Sequence, residues 1–174
     1  MKKPGLEIPK NLMRMFTSDI GATEYFSYVG NVVSVEHALG ALAILTPDFI
    51  ERDGCIFWCP NVDEYDPNKY PMQGLRKDED ENLTLSFERA HVERYRNNFA
   101  VSQFFSKWED CPQRSIFRVG LSEEDYQLCH IFAQQIVRYW KIALLEHFPD
   151  CSFEFEIADD LLDEYGVCLT FWQT

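Results

Sequence analysis

A chain of 174 residues with 46% hydrophobic and 15% aromatic side chains carries enough apolar area for a folded core, so disorder along its whole length is not expected. Its formal net charge of −13 argues against nucleic acid and anionic membranes as partners, since both are held by Lys and Arg that displace counterions. The acid is uneven: residues 1–121 carry a net −4 and residues 122–174 a net −9, which directs attention to a basic protein partner and to the last third of the chain.

The opening MKKPGLEIPK has basic residues but no apolar run after them, unlike a secretory signal. The apolar stretch 38–45 is too short to span a bilayer. A cytoplasmic location is therefore expected. The six cysteines, Cys55, Cys59, Cys111, Cys129, Cys151 and Cys168, are then expected as reduced thiols rather than a disulfide framework. One domain is expected over 1–174, with residues 1–16 as an N-terminal arm punctuated by Pro4, Gly5 and Pro9.

In residues 17–33, Ser18 or Asp19 can cap a short helix that Gly30 and Asn31 stop. Ser34 reads as an N-cap, and Val35 to Leu45 as a helix apolar nearly all round, hence buried. Gly40 in it suggests close approach of another backbone. FIER and CIFW flank Asp53-Gly54, a hairpin signature. Residues 60–82 read as a long irregular loop, rich in Pro, Asp and Asn and ending in Asp78-Glu79-Asp80-Glu81-Asn82. Leu83 to Phe87 reads as a short strand. A helix is expected from about 88 to 108, with a break at Asn97-Asn98, and Arg89 and Glu93 four apart as an exposed ion pair. Ile116, Phe117 and Val119 suggest another strand.

Ser122-Glu123-Glu124-Asp125 opens the best-defined element, because a Ser cap followed by acids suits a helix N-terminus. That helix runs to about 148. Gln127, His130, Gln134, Arg138 and Lys141 form its polar stripe, and Cys129, Phe132, Ile136, Trp140 and Ala143 its apolar one. Strands around Phe153–Ile157 and Val167–Phe171 alternate apolar and polar residues. The link ADDLLDEYG between them is too long for a tight turn. The fold class expected is α+β: an antiparallel sheet built from hairpins, packed against a buried helix and a long amphipathic helix.

Chemistry-bearing patterns are sparse. Cys55-x3-Cys59 lacks a second ligand pair and the common metal spacing. Glu88-x-x-His91 occurs once, whereas carboxylate-bridged metal bundles need two such copies and further Glu residues. Cys129 and His130 are helix neighbours about 100° apart, so they face different ways. His37 sits among apolar residues with no nucleophile placed beside it. No phosphate loop, nucleophile elbow or HExxH is present. Neither metal nor cofactor is expected, and binding is expected over catalysis.

Six carboxylates, Glu154, Glu156, Asp159, Asp160, Asp163 and Glu164, fall within eleven residues. With Tyr165 and Trp172 they form the expected partner-binding surface, since charge steers encounter and aromatics supply affinity. The leading expectation is a non-enzymatic acidic domain that binds a basic protein, of inhibitor or immunity type. A plain solvated edge is the competing reading of the same residues. An enzyme or small-ligand binder with an aromatic-lined pocket under the 60–82 loop, using His37, Glu88 and His91, is the alternative. A subunit of a larger assembly would instead expose a large apolar patch.

Overall fold

The computed structural model describes residues 12, 29–30, 32–59, 72–105 and 121–174. The N-terminal arm, residues 60–71 of the expected loop, the strand expected at 116–119 and Cys111 lie outside them. The architecture is α+β, and the chain divides into two compact units at Leu45/Thr46.

In the first unit, helix α1 spans Val35–Leu45. Ser34 caps it as expected, its Oγ accepting from His37 N at 3.2 Å. The expected burial is not found. No residue of α1 is buried, and Val35, Leu39 and Leu42 are exposed. An apolar circumference shows that a helix can be covered, but the cover is a tertiary matter that composition does not supply. Among the described residues no atom comes within 4 Å of a Cβ placed on Gly40, so none of them makes the close backbone approach expected there.

In the second unit, β1 (Asp48–Arg52) and β2 (Cys55–Cys59) form a hairpin whose Arg52↔Cys55 pairing leaves Asp53-Gly54 as a two-residue turn. β3 (Gly74–Lys77) and β4 (Leu83–Ser86) form a second hairpin. The irregular loop expected through residue 82 thus contains a strand in its last third. Helix α2 (Arg89–Arg96) ends at Asn97, much shorter than expected, and the chain continues as β5 (Phe99–Ala100) and a 3-10 helix, Val101–Phe104. Helix α3 (Glu123–His147) takes its N-cap from Ser122, whose Oγ accepts from Asp125 N at 3.1 Å. β6 (Phe153–Leu161) and β7 (Glu164–Gln173) close the chain. The hairpins do not merge into one sheet: β1-β2 and β3-β4 stand as separate pairs, and the third sheet runs β5-β7-β6.

What replaces sheet continuity is polar. Glu93, expected at the surface in an ion pair, is fully buried. Its Oε1 accepts from Ile56 N and its Oε2 from Gln173 N, each at 2.7 Å, and the Gln173 side-chain amide also donates to it. One turn further on, buried Asn97 donates to Ile56 O at 2.9 Å and Phe171 O at 3.1 Å, and accepts from Trp58 N at 3.1 Å. α2 therefore satisfies backbone groups of β2 and β7, two strands that do not pair with each other.

The apolar core gathers on α3. Cys129, Ala133, Ile136, Trp140 and Leu144 are buried at three- and four-residue spacing. Trp140 is the hub: its ring lies 5.7 Å from Phe49 on β1, 5.7 Å from Trp58 on β2, 5.5 Å from Phe99 on β5 and 5.9 Å from Phe171 on β7. On the opposite face Gln127, Gln134, Arg138 and Lys141 are exposed, as expected. Trp140→Ala is expected to cost about 3–5 kcal/mol, and Arg138→Ala under ~0.5 kcal/mol. Equal losses in chemical denaturation would contradict this assignment of the helix faces.

Candidate functional site

The acidic residues sit on the β6–β7 hairpin, where the structure corrects the expected long link. Both strands extend through it, pairing Leu161 with Glu164 around Leu162-Asp163, with a register shift between Asp159 and Leu161. Asp160 and Leu162 hold φ of +55° and +56°, a conformation that costs non-glycine residues energy. Asp160 Oδ1 accepts from Gly166 N at 2.8 Å, which closes the bulge. Gly166 is required twice: its φ is +93°, and a Cβ there would strike Ser102 Oγ on the 3-10 helix.

The carboxylates are not the unrelieved cluster that the local sequence suggests. Arg94 on α2 reaches Glu156, with Nη2–Oε2 at 2.6 Å and Nε–Oε2 at 2.8 Å, and its guanidinium lies 5.5 Å from the Trp172 ring. On α3, the Tyr126 hydroxyl donates to Asp159 Oδ1 at 2.8 Å, and His130 Nε2 lies 3.0 Å from the same oxygen. Tyr95 donates to Asp163 at 3.0 Å and Gln103 to Glu164 at 3.2 Å. Most of these donors are neutral, so they orient the carboxylates and leave negative charge in place. Burial, then the charge of Asp163, pushes the Glu164 carboxyl above its usual range. Burial and the Asp159 carboxylate likewise push the Tyr126 hydroxyl up.

Of the eight expected binding residues, Glu154, Asp159, Asp160, Asp163 and Tyr165 are exposed, and Glu156, Glu164 and Trp172 are half-buried. Tyr165 is 73% exposed, while Leu161 beside the turn is buried. The hairpin end thus presents a free aromatic ring amid oriented carboxylates. Phe104 and Phe105 at the neighbouring 3-10 helix are also exposed. Sequence reading missed them as surface aromatics because they fell within an expected helix.

The other candidates resolve differently. His91 Nδ1 lies 2.8 Å from Ser86 Oγ and 3.4 Å from Glu88 Oε2, a local arrangement between β4 and α2. His37 is exposed rather than set in a buried helix, and it belongs to the first unit. Cys55 and Cys59 are buried; Cys55 packs with Phe57 and Val92, and desolvation pushes its thiol up to about 11. Cys129 is buried, with its thiol also pushed up to about 11 by desolvation, whereas His130 lies at the surface. Such thiols are poor nucleophiles near neutral pH. The five described cysteines are free. Among the described residues, no group of three His, Cys, Asp or Glu side chains is placed to hold a metal ion, and no helix is long and apolar enough to cross a membrane.

Comparison with protein-family models, with curated proteins and with solved structures finds no match to this chain.

Glu164 gives a pH prediction. Its folded-state pKa is raised, so ionisation weighs against the fold above that pKa and the penalty vanishes as pH falls below the unfolded value. Glu164→Gln should therefore be more stable than the parent at neutral pH, by well under ~1 kcal/mol for a partly exposed group, and should lose that advantage in acid. A constant difference across pH in thermal unfolding would contradict the stated cause.

Proposed function

We propose that this chain is a non-enzymatic protein-binding domain that docks a basic protein through the end of its β6–β7 hairpin, as an inhibitor or immunity-type protein covers a basic partner's working surface. The observation that carries this reading is Tyr165, 73% exposed on a hairpin whose Asp159, Asp160 and Asp163 are exposed and oriented by neighbouring donors. A tyrosine in that setting offers large contact area with few rotamers to fix, while the carboxylates steer a positive partner into place. The net charge of −13 adds a long-range field of the same sign. Holding carboxylates in advance lowers the ordering cost of binding.

The test uses substitutions that remove charge but keep the acceptor oxygens. A Glu154→Gln, Asp159→Asn, Asp163→Asn variant retains the Tyr126 and Tyr95 hydrogen bonds, and Tyr165→Ala removes an exposed ring. Each is immobilised beside the parent chain and exposed to lysate of the native cell. A basic protein should be retained by the parent and lost from both variants. For that protein, the triple variant should associate at least about tenfold more slowly at low salt, with the gap closing as salt rises. Tyr165→Ala should dissociate about tenfold or more faster. Equal retention by all three chains, or an association rate independent of salt and of the triple change, would make this hairpin an ordinary solvated edge.

A further inference from the structure

The β3–β4 hairpin is amphipathic the wrong way round for a core element. Register places Leu75 opposite Leu85 and Lys77 opposite Leu83 on one face, and Gly74 opposite Ser86 and Arg76 opposite Thr84 on the other. The face toward α2 is the one with small and polar residues. Gly74 and Ser86 are buried there, Ser86 Oγ meets His91, and a Cβ on Gly74 would lie inside the His91 backbone. With α2 so close, bulky side chains have no room inside. They are turned outward: Leu83 is 42% exposed, Leu85 62% and Phe87, next after the strand, 74%. An outward row of large apolar residues is unusual in a free surface.

The surroundings of this face are acidic at the turn end. Beyond Leu83 lies the turn Asp78–Glu81, with Glu79, Asp80 and Glu81 exposed and Asp78 fixing the turn by accepting from Asp80 N and Asn82 N at 3.0 and 2.9 Å. Beyond Phe87, exposed Glu88 is followed by exposed Arg89, so that end carries no net charge. Lys77, the cation on the face itself, is matched by Glu81 at 2.7 Å. From these we infer that the outer face of β3–β4 is a second docking surface, and that its occupant is an amphipathic helix of a partner protein, with an apolar stripe and Lys or Arg at the end that meets the Asp78–Glu81 turn. Leu83 to Phe87 spans roughly 13 Å of strand, which a helix crosses in about nine residues. The recognised segment therefore has Leu- or Phe-like anchors over about that length, with basic residues at one end of them. This surface is separate from the β6–β7 hairpin end and does not depend on the function proposed for it.

The probe is a synthetic amphipathic Leu/Lys helix of about eighteen residues, five turns, compared with a scrambled peptide of the same composition. Binding to the full chain is read by fluorescence anisotropy at physiological salt. The parent should bind the amphipathic peptide at least tenfold more tightly than the scrambled one. Leu85→Asp with Phe87→Asp should weaken it at least tenfold, and Leu85→Ala with Phe87→Ala severalfold, with the thermal midpoint unchanged because both side chains are exposed. The Glu154→Gln, Asp159→Asn, Asp163→Asn variant should bind as the parent does, which separates this surface from the acidic hairpin. Equal binding of scrambled and amphipathic peptides, undiminished binding by both face variants, or loss on the hairpin variant overturns the inference. So does sedimentation showing a dimer of the parent that Leu85→Asp with Phe87→Asp dissolves, since the face would then be filled by a second copy.

Discussion

The second unit depends on a buried carboxylate and a buried amide one turn apart. Glu93 and Asn97 sit on α2 between β2 and β7, strands that belong to different sheets. Together they meet Ile56 N, Ile56 O, Trp58 N, Phe171 O and Gln173 N. Left without partners inside the core, each such group would cost about 1–3 kcal/mol. A carboxylate is an acceptor only, so it suits the three donors that converge on Glu93. An amide both donates and accepts, so Asn97 suits the mixed set it meets. Neither residue could exchange places with the other without leaving like groups opposed.

From that clamp the surfaces follow. Holding α2 across β2 and β7 places Arg94 against Glu156 and Tyr95 against Asp163, so the acidic hairpin is oriented from the same helix that closes the core. On its other flank α2 lies so close to Gly74 that the β3–β4 hairpin turns its leucines outward. One short helix thus fixes a charged surface on one side and an apolar one on the other. Trp140 completes the arrangement by joining β1, β2, β5 and β7 through aromatic contact, where a continuous sheet would have used hydrogen bonds.

Local chemistry was legible in the sequence, and tertiary partnership was not. Asp53-Gly54 announced its hairpin, Ser122 and its three acids announced α3, and the Cys129–Trp140 stripe identified the buried face. Those signals act within a few residues. Glu93 was misread because Arg89 and Glu93 four apart look the same whether the acid meets solvent or two strand edges. The Asp159–Glu164 turn was misread because positive φ there falls on Asp160 and Leu162 rather than on Gly or Asn. The hydroxyls and guanidinium that orient the acids lie 33 to 68 residues away in sequence, where no periodicity reaches. Leu83 to Phe87 was legible only as a short strand, and the contact at Gly74 decides that its leucines look outward.

Native-state hydrogen exchange tests the clamp most directly. The amides of Ile56 and Gln173 lie on strands that do not pair with each other, yet both donate to Glu93. Both should exchange as slowly as the paired core of β6–β7, and Glu93→Ala should accelerate both together while the Phe155–Phe171 pairing nearby keeps its protection. Fast exchange at either amide in the parent chain, or protection at both that survives Glu93→Ala, would contradict the account.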